Sequence, residues 1–210
     1  MLEPPTTRGR ATKQRIVSAA AALFHERGVS ATSVEHVLAA AGSGKGQFYR
    51  YFSSKDDLLR AVLGHHIEQE LGLGRPLVEE LDDWPGIEAY FEAIVAGQEA
   101  RGLVGGCPIG SLALELADRD EALRRDLAAA FARWQGRIEQ GLARMKENGT
   151  LRPDADPAWL ATVTLASIQG GYLLATTHKD LGPLRAALEA ARGTIAAFAA
   201  EEGPDGDPSA

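Results

Sequence analysis

Within Gly42-Ser43-Gly44-Lys45-Gly46-Gln47-Phe48-Tyr49, three side chains stand close enough together to act on one partner. Lys45 can neutralise a phosphate, Gln47 can pair bidentately with adenine or otherwise reach a base edge, and Tyr49 offers a phenol to phosphate beside a flat apolar face. Gly46 lets a backbone approach closely. Lys55, at the start of a further helix, adds positive charge where free N–H groups already favour a phosphate. Arg8 and Arg10, in a Pro- and Thr-rich arm, could reach the DNA backbone or the minor groove. The string Gly42 to Gly46 also looks like a nucleotide-phosphate loop, but that pattern requires Gly where Ala39 stands and Ser or Thr where Gly46 stands, and no strand precedes it.

The elements that must position these residues are helices. There are 36 alanines and few runs of alternating apolar and polar residues, so the chain reads as all-α, with about nine helices. Thr12 can cap a first helix with Ile16, Ala20, Leu23 and Phe24 on one face and Gly28 at its end. Thr32 and Glu35 have capping-box spacing for a second, with Val34, Val37, Leu38 and Ala41 inward and Gly42 as its stop. Residues 44–52 form a short third helix, and Ser54 with Asp57 offers a box for a fourth carrying Leu58, Leu59, Val62, Leu63 and Ile67. The second and third helices, joined by Ala41-Gly42-Ser43, have helix–turn–helix spacing, which projects the N-terminal residues of the later helix toward base edges in the major groove.

Charge divides the chain in the same way. The 210 residues hold 22 Lys+Arg against 29 Asp+Glu, a net −7. Residues 1–64 carry nine basic and five acidic side chains, giving +4, and the remaining 146 carry −11. A basic head on an acidic body suggests nucleic acid at one end only. No apolar stretch follows the charges of MLEPPTTRGRATKQR, so no secretory signal is expected, and the single cysteine excludes an internal disulfide framework; the cytoplasm is the expected compartment.

Beyond the break at Asp82-Asp83-Trp84-Pro85-Gly86, a helix bearing Ile87, Phe91, Ile94 and Val95 opens the second half. Leu123, Leu127, Phe131, Trp134, Ile138, Leu142 and Met145 then mark a long amphipathic helix ending at Asn148-Gly149. Pro157 to Thr177 is uncharged and long enough to span a membrane, but only 12 of its 21 residues are apolar, and a buried helix is the expectation. Buried on its own core and on a second face, it predicts a homodimer in which the helices at 157–177 and 183–201 of each subunit make a four-helix bundle. The division expected is a flexible basic arm over 1–10, a helix–turn–helix domain over 11–64, a ligand-binding and dimerisation domain over 65–201 and a disordered tail over 202–210.

The segment TSVEHVLAAAGSGKGQFYRYFSSKDDLL, residues 32–59, resembles the TetR/AcrR family of transcriptional regulators: a Thr-capped helix, an AG turn, a KG pair, an aromatic run and a Ser-Lys-acidic helix start. The resemblance implies an all-helical homodimer with an N-terminal DNA-binding domain and a C-terminal domain that takes a small-molecule inducer. It implies that Thr32, Lys45, Gln47, Tyr49 and Lys55 contact DNA. Two positions depart from the family. Ser43-Gly44 stands where Val-Ser is common, so the capping hydroxyl is lost or shifted by one: Gly44 caps instead, and Ser43 stands where it could replace the phosphate contact. Gln47, a longer reader, stands where Thr is frequent.

GCPIGSLALELAD resembles a branch of the family that senses drug-like, often aromatic compounds, which places Cys107 and Ile109 near the ligand cavity by resemblance. Phe91, Trp134, Gln169 and Tyr172 are cavity candidates because aromatic walls with a few polar groups make a ligand site, although each also suits plain core. Pro108 is positioned as the first residue of a helix, whose positive end would lower the Cys107 pKa and favour reactivity; a small buried residue is the blander reading. The five histidines, His25, His36, His65, His66 and His178, show no ligand spacing, so neither a metal nor a cofactor is expected. The functional expectation is a ligand-responsive repressor, bound as a dimer to a palindromic double-stranded operator and released by a small hydrophobic or aromatic effector. The rivals are a thiol- or electrophile-sensing regulator acting through Cys107, an enzyme using Cys107 as nucleophile, for which no His is placed as base, and a nucleoid-type DNA binder without ligand.

Overall fold

The computed structural model describes residues 6–70 and 81–200; the expected tail over 202–210 and the first five residues of the expected arm lie outside them. Among the described residues there are nine helices, as expected, and no strand beyond one isolated bridge between Leu151 and Ala199. The helices are α1 (Thr7–Arg27), α2 (Val34–Ala41), α3 (Lys45–Tyr51), α4 (Lys55–Glu70), α5 (Trp84–Ala100), α6 (Pro108–Leu116), α7 (Glu121–Glu147), α8 (Pro157–His178) and α9 (Gly182–Ala196).

Several helix starts differ from the sequence expectation by a few residues. α1 begins at Thr7 with Thr6 as its cap, the Thr6 hydroxyl accepting the Gly9 N–H at 3.1 Å, so Arg8 and Arg10 stand on helix rather than in an arm. Thr12 is buried inside α1 and donates its hydroxyl to the Arg8 carbonyl at 3.0 Å, a local bond that a helical Thr makes without capping anything. The box at α2 is built by Ser33 and His36, not Thr32 and Glu35. The Ser33 hydroxyl accepts the His36 N–H, and the His36 ring accepts the Ser33 N–H. At α4 the Ser54 hydroxyl accepts the Asp57 N–H as expected, while the Asp57 carboxylate reaches one residue further back, to the Ser53 N–H.

The chain divides into two compact units. The first comprises residues 1–74 and 103–134 and the second 75–102 and 135–210, so α6 and the first half of α7 fall in the first unit. In the first unit α1 packs on α2, α3, α4 and α6. Ile16, Ala20 and Phe24 of α1, Val37 and Leu38 of α2, Phe48 of α3, and Leu58 and Val62 of α4 are all buried. Burial of that many aliphatic and aromatic side chains, each contributing about 1.5–3 kcal/mol, is what holds four short helices together.

In the second unit α9 packs on α8 and on α5. Asp156 caps α8 by accepting the Ala158 and Trp159 N–H groups, and the buried stripe is Leu160, Ala161, Thr164, Leu165, Ile168, Gly171, Tyr172 and Ala175. A Cβ on Gly171 would lie 2.8 Å from Leu184 Cδ1 and 3.1 Å from Leu184 Cα, so glycine is what lets α8 and α9 approach this closely. Gly170 faces open space instead. α8 is also, among the described residues, the one helix long and apolar enough to cross a membrane by length and composition. Its buried stripe and the interleaved Thr, Ser and Gln residues are those of a core helix.

Candidate nucleic-acid interface

The turn between α2 and α3 is set by Gly42, whose φ of 57° and ψ of 41° place it in the left-handed region where a side chain is unfavourable. The Gly42 and Ser43 N–H groups bond back to Ala39 and Leu38, closing the end of α2. Ser43 is half-buried and donates its hydroxyl to the Ala41 carbonyl at 3.4 Å. Chain reversal at this point sends α3 off at a new angle, and Phe48 and Phe52, one turn apart with ring centroids 5.4 Å from each other, anchor it in the core.

With Phe48 buried, the rest of the first turn and a half is turned outward. Gly44, Lys45, Gly46, Gln47 and Arg50 are exposed, and Tyr49, packed edge-on against Phe48, is 65% exposed. The three expected readers, Lys45, Gln47 and Tyr49, thus share the surface of one short helix, joined by Gly44 and Gly46. Lys45 Nζ lies 3.0 Å from Glu35 Oε1, an exposed pair between α3 and α2. The carboxylate raises the Lys45 pKa and the ammonium lowers that of Glu35. Gln47 Oε1 accepts the Gly44 N–H at 3.1 Å.

Two of the expected DNA contacts, Thr32 and Lys55, have their side chains turned inward. Thr32 is 1% exposed, and its hydroxyl donates inward to the Gly28 carbonyl at 2.8 Å, so its side chain serves the α1–α2 corner. Lys55 is half-buried, with Nζ donating to the Val29 carbonyl at 2.5 Å and lying 5.9 Å from the centre of the Phe24 ring. Its charge is directed at the same corner, on a carbonyl that also accepts the Thr32 N–H at 3.2 Å. Arg10 is exposed on α1 and contacts the Thr7 hydroxyl at 3.4 Å.

The corner from Gly28 to Thr32 has a further support that the sequence did not disclose. Glu115 of α6 accepts the main-chain N–H groups of Val29 and Ser30, each at 2.8 Å, and the Ser30 hydroxyl at 2.6 Å. Arg119 donates to the Ser30 hydroxyl at 2.6 Å and lies 3.9 Å from Glu115. Burial pushes the Glu115 carboxyl up, but the bonds from Ser30 and Val29 and the Arg119 charge outweigh it and hold it below its ordinary value. His25, in the last turn of α1, meets the Val104 carbonyl at 3.0 Å, so the loop before α6 is tied to α1 as well.

The six expected ligand residues fall in different units. Cys107, Ile109 and Trp134 are buried in the first, and Phe91 and Tyr172 are buried and Gln169 half-buried in the second, so neither unit by itself gathers all six. Cys107 is the N-cap of α6, as Pro108 at its first position foretold, and Sγ accepts the Gly110 N–H at 3.3 Å. Around Tyr172 the second unit has a polar set that sequence reading passed over. Gln98, fully buried, donates to the Thr176 hydroxyl at 3.0 Å, and Arg101 reaches Gln98 Oε1 at 3.3 Å and the Tyr172 hydroxyl at 3.5 Å. In the first unit an open depression of about 600 Å³ lies along Ala11, Gln14, Arg15, Ser18, Ala19, Ala40 and Ala41, lined by none of the six. Among the described residues no group of three or more His, Cys, Asp or Glu could hold a metal ion.

Known proteins share both halves of this arrangement. Residues 16–62 match the family described as Bacterial regulatory proteins, tetR family, and residues 84–191 match the one described as Tetracyclin repressor-like, C-terminal domain. An HTH-type transcriptional regulator of Lactococcus lactis subsp. lactis is 32% identical over 83% of this chain and 88% of its own length. The HTH-type transcriptional repressor DhaR of Mycobacterium sp. (strain GP1) is 30% identical over 82% of this chain and 86% of its own. The crystal structure of the reduced form of E. coli NemR superposes with a TM-score of 0.78 at 25% identity, covering 88% of this chain and 98% of that one. With an exposed recognition helix behind a left-handed glycine turn and family matches on both halves, the chain belongs to the TetR family of DNA-binding transcriptional regulators and is not an enzyme.

Proposed function

We propose that this regulator is a repressor that binds a palindromic operator as a homodimer and leaves it when a small, hydrophobic or aromatic effector occupies the second half of the chain. The observation that carries this reading is the surface of α3, where Lys45, Gln47 and Tyr49 are exposed while Phe48 fixes the helix from beneath. Ser43, Gly44 and Gly46 let α3 approach the duplex, and Arg10 adds a phosphate contact from α1. The repressor assignment is supported by relatives named as repressors, DhaR and the E. coli NemR.

Dimerisation is supported by α8. Trp159, Leu173 and Leu174 are about half exposed on a helix without a charged residue between Pro157 and Thr177, an apolar surface that a second copy of α8 and α9 would cover. Two recognition helices related by that two-fold axis would enter major grooves about 34–36 Å apart. An effector acts by binding the released state more tightly than the DNA-bound one. Phe91, Gln169 and Tyr172, with the polar set around Tyr172, would line its site in the second unit. The protein works in the cytoplasm, where operator and effector meet.

Binding to DNA from upstream of the protein's own gene tests the reading. Lys45→Ala combined with Tyr49→Phe is expected to weaken specific binding at least tenfold and to lower the salt dependence by about one counterion. Unchanged binding by that variant, or equal binding to any duplex, would sink it.

A thiol-responsive regulator is the second reading, favoured by the position of Cys107. At the N-cap of α6, with the Gly110 N–H directed at Sγ, a thiolate is stabilised by the helix end. If it holds, a small electrophile alkylates Cys107 by mass spectrometry and releases the operator, and Cys107→Ser abolishes the release. Release that persists in Cys107→Ser would leave only the non-covalent effector.

A further inference from the structure

α3 opens on a glycine cap, and glycine has no side chain to accept an N–H from the first turn. The only half of a capping box that can form is the returning one: the Gly44 N–H donates to Gln47 Oε1 at 3.1 Å. Which end of the amide faces Gly44 follows from the chemistry, because a main-chain N–H is a donor and can meet only the carbonyl oxygen. The Nε2 group, with two hydrogens, is therefore the end of Gln47 left to project from an exposed helix surface. Beside it Lys45, also a donor without acceptor capacity, is held by Glu35 at 3.0 Å.

Bidentate recognition of adenine uses both ends of an amide, the oxygen accepting from N6 and the nitrogen donating to N7. Here one lone pair of the oxygen is taken by the Gly44 N–H, and that bond fixes the amide with its oxygen toward the main chain. From this we infer that Gln47 reads DNA through Nε2 alone, as a hydrogen-bond donor that selects guanine over adenine, an inference that rests on reading α3 as the recognition helix. In the major groove guanine presents N7 and O6, two adjacent acceptors that suit the two hydrogens of one amide nitrogen. Adenine presents N7 next to the N6 donor, which opposes the second hydrogen. Thymine offers a single acceptor beside a methyl group, and cytosine offers a donor. Breaking the cap to free the oxygen would strand the Gly44 N–H in a closed interface, so the cap persists on binding.

Selection from a random-sequence duplex library with the full chain, Gln47→Ala, Gln47→Lys and Gln47→Glu tests this, with far-UV circular dichroism confirming equal helix content. The unaltered chain is expected to enrich a two-fold symmetric site. The position that loses its preference in Gln47→Ala should be guanine, favoured over adenine about tenfold. Gln47→Lys, donor only, should keep guanine, and Gln47→Glu, which still accepts the Gly44 N–H but donates nothing, should lose it. Adenine at that position, or a change from adenine to guanine in Gln47→Lys, overturns the inference, as does a Gln47→Ala profile unchanged at every position. If no site is enriched, or the enriched site is also indifferent to Lys45→Ala and Tyr49→Phe, the recognition-helix reading fails and this inference with it, an outcome distinct from selection of the wrong base.

Discussion

Glu35 and Glu115 both accept charge-assisted hydrogen bonds within the first unit, yet their surroundings make them different devices. Glu35 meets Lys45 with both side chains more than 60% exposed, so water competes for each partner and a phosphate could replace the carboxylate at little loss. Glu115 has a side chain only 20% exposed and takes three bonds of 2.6–2.8 Å, two of them from main-chain N–H groups that have no other described acceptor. The first arrangement suits a cation able to exchange partners. The second suits a permanent joint. The Lys55 and Thr32 side chains are held at the same corner as Glu115, whereas Lys45 and Arg50 are exposed on α3.

The largest effect expected from this contrast is on stability. Glu115→Ala leaves the Val29 and Ser30 N–H groups without their acceptor and should cost about 2 kcal/mol, lowering Tm by about 6 °C. A Tm within a degree of the unaltered chain would remove Glu115 from the joint. The pH dependence has a definite sign: a carboxyl whose folded pKa is lowered contributes fully above its ordinary value of 4.5, and that contribution fades as the pH falls through the lower folded value. The Tm difference between the unaltered chain and Glu115→Gln should therefore be constant at neutral pH and narrow in acid; a gap that stays the same at acid pH breaks the assignment. The smallest effect belongs to Glu35→Gln. It should leave Tm unchanged while raising affinity for any duplex about threefold at low salt, a gain that fades as salt is added. A fall in Tm would mean that the exposed pair is as structural as the sheltered one.

Much of this was legible in the sequence because it depends on local periodicity. The buried stripe of α7 follows from side-chain spacing and the stop of α2 from its glycine, whereas the inward side of the short α3 is known only from the structure. Helix starts were legible only to within a few residues. Thr32 and Ser33 are both competent caps, and the choice fell to Ser33 because the Thr32 hydroxyl found the Gly28 carbonyl. The inward bond of Lys55 was not legible because its acceptor is a carbonyl 26 residues away. Glu115 was invisible for the same reason in stronger form: its partners are main-chain N–H groups 85 and 86 residues distant, and a backbone donor leaves no mark on residue type. Phe91, Trp134, Gln169 and Tyr172 were chosen by residue type and Cys107 and Ile109 by resemblance, and neither says which compact unit a residue joins.

The bridge between Leu151 and Ala199 closes a loop that contains α8 and α9 entire. The Arg152 N–H bonds the Phe198 carbonyl at 2.8 Å and the Ala200 N–H bonds that of Thr150 at 3.0 Å, while Gly171 seats one helix on the other in between. The bonds that close this helical hairpin span at most fifty residues, whereas α5 is separated from it in sequence by α6 and α7. Short loops close quickly, so the hairpin is the part of the second unit able to form first during folding and the last to give up its amide protons to exchange. The half-exposed Trp159, Leu173 and Leu174 are thus carried on the piece of that unit whose contacts are most local in sequence.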